Sequence, residues 1–145
     1  MPDEEEKLDE KEAVKRLNKA LALQYRSALQ YSIVAASLSG IEAQSLGSKL
    51  TDFGDAELAD VRRLIEKIVS FKGEPSTDVA ELSFDAGTEQ ALRRLAEDEE
   101  ATVEALQEAI EPTGREGRSE ALEHLMEHLI LRKQHQVDFL NRAIG

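Results

Sequence analysis

No cysteine occurs in this sequence, which excludes disulfides, thiolate metal sites and cysteine nucleophiles and fits a reducing compartment. Tryptophan is absent, aromatics make up 4% and prolines number three, a composition that favours long helices over a twisted sheet. Positive charge is scarce. Eighteen Lys and Arg stand against 30 Asp and Glu, and a net charge of −12 repels phosphates, so no nucleic-acid and no membrane-surface partner is expected. Cations, metals or basic proteins fit that charge better. No stretch reaches the roughly 18 apolar residues of a membrane span. The opening Met1-Pro2-Asp3-Glu4-Glu5-Glu6 is the reverse of a signal peptide's basic start and apolar run. The expectation is a cytoplasmic, all-α protein, long enough at 145 residues to bury a core as one domain.

Apolar spacing divides the chain. Residues 1–9 form an acidic run expected to be a solvated tail, and residues 10–145 form the folded unit. Val14, Leu17, Leu21, Ala28, Tyr31, Ala35 and Leu38 recur at three- and four-residue steps and predict a helix over about 10–39, roughly 45 Å long, with Gly40 as its stop. Leu50, Phe53, Val61, Leu64, Ile68 and Phe71 predict a second over about 45–72, closed by a Gly73 cap with Pro75 beyond. Leu92, Leu95, Val103, Leu106 and Ile110 mark a third, from Thr88 to a stop at Pro112 and Gly114. Leu122, Leu125, Leu129, Phe139 and Leu140 mark a fourth, from an N-cap at Ser119 to Ile144. The stretch from Glu74 to Gly87 has weak periodicity. Its fourteen residues, fully extended, reach about 46–50 Å, enough to run the height of a bundle and leave the helices on either side of it parallel. Two helical hairpins joined by one long crossover is the ferritin-like form of the four-helix bundle.

Rotating each residue by about 100° per position shows which polar groups share the apolar stripes. Gln24 on the first helix, Glu57 and Asp60 on the second, Glu99 on the third, and Lys133 and Gln136 on the fourth all point inward, in the middle third of their helices. Each helix thus contributes to one central layer. Glu57/Asp60 and Lys133/Gln136 are spaced three apart, which aims both members of a pair at one point. That is the placement used by carboxylate-bridged two-metal bundles, which take a Glu from each of two helices and a Glu-x-x-His pair from each of the others.

The run Leu17-Asn18-Lys19 followed by Gln24 and Gln30-Tyr31 resembles the first helix of a bacterioferritin subunit, and Leu64-Ile65-Glu66-Lys67-Ile68 with Gly73 and Pro75 is similar to the end of that family's second helix. The resemblance covers roughly residues 15–144. It implies a subunit of the kind that assembles into hollow shells and oxidises and stores iron. Of the family's six metal ligands it keeps Glu57 and Glu99. Gln24 stands for the first-helix Glu, Asp60 for the first His, and Lys133 and Gln136 for the second Glu-x-x-His, unless the fourth helix slips by one to favour His135. Tyr31 matches a tyrosine near that site, and Leu58 replaces the haem-ligating Met, so the resemblance implies no haem.

Charge decides between the readings. Four carboxylates balance two divalent ions, whereas Glu57, Asp60 and Glu99 give −3 and Lys133 gives +1. Two divalent ions would leave the layer positive and press Lys133 against them, at a cost of several kcal/mol. The leading expectation is a degenerate centre, with Lys133 in place of metal, no catalytic residue, no cofactor and a structural or binding role, in a homo-oligomer, a dimer or larger. The alternative is an iron-binding protein, with ferroxidase chemistry if it is an enzyme, that holds a divalent ion, iron or manganese, on Glu57, Glu99, Asp60 and Gln24. The residual −2 is to be settled by one divalent ion, a raised carboxyl pKa, or a further cation such as Arg132.

Other features are expected to lie outside this layer. His124-Leu125-Met126-Glu127-His128 spells H-x-x-E-H, the inverted zinc-protease pattern, but the wheel puts both histidines and His135 on the solvent face, where only adventitious zinc or nickel is expected. In Glu97-Asp98-Glu99-Glu100 only Glu99 has the inward phase. Tyr25 and Arg26 lie off the core stripe, with Leu46 and Leu131 as surface leucines for self-association.

Overall fold

A computed structural model describes residues 8–110 and 117–145, and these form four helices: α1 (Glu10–Ser37), α2 (Gly40–Ser70), α3 (Thr88–Ile110) and α4 (Gly117–Ile144). The Asp9 carboxylate caps α1 by accepting from the Glu12 N–H at 3.1 Å. Leu8 is buried against the core. The last two residues of the acidic run therefore belong to the bundle, contrary to expectation; residues 1–7 lie outside the described part.

Only Leu38 and Ser39 separate α1 from α2. The second helix starts five residues before the expected position because Gly40, at φ 61°, turns the chain straight into it. Residues 41–49 are mostly exposed, so they carry little apolar periodicity. Leu46, expected at the surface, is half-buried against the core. At the other end of α2 the left-handed residue is Lys72, at φ 60°, not the glycine after it. Gly73 N–H bonds Ile68 C=O at 3.0 Å and Lys72 N–H bonds Val69 C=O at 2.9 Å, the paired bonds of a Schellman close. Gly73 is required for space: a Cβ there would lie 2.6 Å and 2.8 Å from the methyls of Val14. Ser119 does not cap α4. It sits inside the helix, fully buried. The stop expected at Pro112 and Gly114 lies outside the described residues.

Side-chain pairs fix the helix directions. Across α1 and α2, Asn18 meets Glu74 and Gln24 meets Glu57; across α1 and α3, Arg16 meets Glu108 and Arg26 meets Asp98; across α2 and α4, Glu57 meets Gln136 and Asp60 meets Arg132. All three pairs of helices are antiparallel, so α2 and α3 run parallel. The connecting strand of chain climbs the outer face of α1. Asn18 binds Glu74 C=O and Ser76 N–H, the Tyr25 hydroxyl donates to Ser76 C=O at 3.0 Å, Ala80 N–H donates to Ala22 C=O, and Ser83 N–H donates to Gln30. This is the long crossover, and Tyr25 is one of its anchors.

Two apolar clusters fill the bundle. One gathers Leu17, Leu21, Leu64, Ile68, Leu106, Leu122, Met126 and Leu129; the other gathers Tyr31, Val34, Leu50, Leu92, Leu95 and Leu140. In every helix the polar residues picked out by phase fall between the two. Among the described residues no helix is long and apolar enough to cross a membrane.

Candidate functional site

Gln24, Glu57, Asp60, Glu99, Lys133 and Gln136 are all buried, Lys133 completely, and they meet in a single polar layer. α1 and α2 approach closely here because Gly54, one turn before Glu57, has no side chain; a Cβ on it would lie 3.2 Å from Tyr31 Cβ.

Lys133 is at the centre of the layer. Its Nζ donates to Glu57 Oε2 at 2.5 Å and to Glu99 Oε1 at 3.2 Å, joining α2 and α3 through α4. Gln136 Nε2 repeats the bridge on the other oxygens, at 2.7 Å from Glu57 Oε1 and 2.6 Å from Glu99 Oε2, with the Tyr31 hydroxyl 3.4 Å away. Gln24 Nε2 reaches across from α1 to Glu57 Oε2 at 2.5 Å and to the Glu57 carbonyl at 2.9 Å. Asp60 accepts from Arg63 at 2.7 Å and from Arg132, which also lies 3.3 Å from Glu57 and donates to Gln136 Oε1. Every oxygen of the layer's three carboxylates, Glu57, Asp60 and Glu99, thus has an N–H donor, the condition under which buried charge is tolerated. Gln24 Oε1 is the buried oxygen of this layer without a partner among the described residues.

Electrostatics separate the two glutamates. Burial pushes Glu57 up, but Lys133 and Arg132 together outweigh it and hold the group below its ordinary 4.5. Burial dominates at Glu99, Lys133 offsets part of it and Glu57 adds repulsion, so that carboxyl rises to about 7. Burial alone would lower Lys133, yet Glu99 and Glu57 hold it above the usual lysine range. Tyr31 is pushed well above its ordinary value by burial and then by the charges of Glu99 and Glu57. The deficit of −2 left by counting Lys133 alone is met by one charge from the Arg132 guanidinium and, below about pH 7, one from the proton on Glu99.

The fourth-helix register is settled: Gln136 faces the layer and His135 is exposed. His124 and His128 are exposed, as expected. Asp98, expected on the solvent face, is instead buried, 3.5 Å from Arg26 across α1 and α3, beside a buried Ser27–Thr102 hydroxyl contact of 3.4 Å. The signal was present in Ala91 and Ala105, seven residues to either side, which widen the buried stripe of α3 to include position 98. Arg63 was also missed, although its spacing from Asp60 is a helix-face contact. Among the described residues no three His, Cys, Asp or Glu side chains are grouped as a metal-holding set.

The chain matches the family model described as the ferritin-like domain over residues 14–145. A solved structure of ferritin-like, diiron-carboxylate proteins from Bacillus anthracis strain Ames superposes with a TM-score of 0.84 at 24% identity, covering 94% of this chain and 98% of that one. At that identity the likeness speaks for the fold. No curated protein matches the chain.

Proposed function

Because this chain belongs to the ferritin-like family, we propose that its central layer has exchanged two-metal chemistry for an internal lysine–arginine–carboxylate cluster, and that its role is structural or binding and not that of a ferroxidase. The observation that carries this reading is Lys133 Nζ, fully buried and bonded to both Glu57 and Glu99. The residues present do not fit a pair of iron ions. Both glutamates are occupied by N–H donors, Asp60 is taken by two arginines, and among the described residues of the layer the one unengaged buried oxygen is Gln24 Oε1, a neutral one. A lysine cation and two divalent ions in one buried layer repel strongly.

Leu29, Leu58 and Leu131, exposed on the outside of the bundle, supply apolar surface for a homo-oligomer, dimer or larger, in the cytoplasm. The mass in solution checks the assembly.

The competing reading, iron binding on Glu57, Asp60, Glu99 and Gln24 with loss of the lysine contacts, draws on the description of the Bacillus anthracis neighbour as diiron-carboxylate proteins. One titration decides. Anaerobic addition of ferrous iron to the purified chain, followed by air, is expected to leave no iron in the layer and to give no stoichiometric oxygen uptake. Two equivalents of iron bound per chain and oxidised would overturn the proposal. Independently, Lys133→Ala is expected to cost about 3–5 kcal/mol in urea unfolding, the penalty for stranding buried carboxylates. A change below about 1 kcal/mol would show that the lysine does not hold the layer.

A further inference from the structure

α4 carries two histidines that the polar layer does not use. His124 and His128 are one turn apart on an exposed face of a helix that runs unbroken from Gly117 to Ile144. At positions i and i+4 the Cβ atoms lie about 5–6 Å apart on the same face. That separation lets two imidazoles close on one ion through metal–nitrogen bonds of about 2.0–2.1 Å. The backbone that sets the spacing is already rigid, because Leu122, Met126 and Leu129 lock the opposite face of the same turns into the core. Only the two rings need be ordered when an ion arrives, so little affinity is lost to reorganisation.

Glu127 lies between the two histidines in sequence, and its Oε2 is 3.9 Å from His124 Nδ1, which places a carboxylate charge beside the pair. The net charge of −12 attracts cations to the surface in general.

The geometry points to His124 and His128 as a bidentate surface site for a transition-metal dication, Cu²⁺ held most tightly and Ni²⁺ or Zn²⁺ next, with the other coordination positions left to water. Imidazole nitrogens favour these ions over Mg²⁺ or Ca²⁺, which seek oxygen, and the order within the first row follows the general rise to copper. The site is distinct from the polar layer: its ligands face solvent, whereas Lys133 and Gln136 on the same helix face the core.

Calorimetric titration of the untagged full chain with Cu²⁺ and with Zn²⁺ tests the site, using His124→Ala, His128→Ala and His135→Ala. The expected result is one Cu²⁺ bound per chain at this site, more tightly than Zn²⁺. Loss of either chelating ring should weaken binding roughly a hundredfold, because the second attachment supplies the effective concentration. His135→Ala should bind like the parent. Copper affinity unchanged in His124→Ala or in His128→Ala, or an equal loss in His135→Ala, would overturn the assignment. All three side chains are exposed, so the variants should keep the parent's helical circular dichroism.

Discussion

Lys133 has no access to solvent, and its charge is matched only by the two glutamates it touches. Such a residue holds its neighbours in a definite protonation pattern. Glu99 keeps its proton to about 7 in the folded chain, while its ordinary carboxyl value is 4.5. Between those values the native state binds more protons than the unfolded one, so stability falls as pH rises and levels off above about 7. The total for this group is on the order of 3 kcal/mol. Glu57, with its lowered value, has the opposite sign: its contribution is present above 4.5 and is lost as pH falls through its folded pKa. Asp98, raised mainly by burial, adds to the Glu99 trend. Urea midpoints should therefore decline from pH 5 to pH 7.5. Glu99→Gln should flatten most of that decline, and a slope unchanged in the variant would locate the titration elsewhere.

At the scale of the element, α2 shows how one helix end is built from conflicting demands. The closing turn needs a left-handed residue and supplies Lys72, while the glycine, which would adopt that backbone without cost, is spent one position later to admit Val14. A non-glycine residue in the left-handed region costs about 1–2 kcal/mol. Lys72→Gly should therefore raise stability by about 1 kcal/mol in chemical denaturation. Gly73→Ala should lower it by about 1–3 kcal/mol through overpacking. Pairing Gly73→Ala with Val14→Ala should recover part of that loss, and an additive double mutant would show that the two sites do not touch.

Across the whole molecule, an excess of acidic side chains surrounds a layer that is itself close to neutral. Self-repulsion among surface carboxylates opposes the compact state and is screened by salt, whereas the buried pairs are screened far less. Raising sodium chloride from 0.1 M to 1 M shortens the screening length from about 10 Å to about 3 Å. The melting temperature should rise by a few degrees. A fall would mean that exposed pairs such as Lys19–Glu108 and Arg93–Glu89 outweigh the repulsion.

Composition and 3.6-residue periodicity determined the helical class, the four helices and the inward phase of Gln24, Glu57, Asp60, Glu99, Lys133 and Gln136, because both depend on which face of a helix is withdrawn from water. The length of the Glu74–Gly87 connection made the crossover legible for a similar reason: chain reach limits topology. Helix ends were less legible. Gly40, Lys72–Gly73 and Ser119 depend on one backbone angle or one neighbouring methyl, which periodicity does not encode. The partners within the layer were decided only by the tertiary structure. Whether Lys133 meets Glu57 or solvent, whether Arg132 and Arg63 turn toward Asp60, and whether Asp98 finds Arg26 are set by the relative rotation and height of helices far apart in sequence. The energy of a buried charge depends on donors a few ångströms away, and those distances exist only once the four helices have packed.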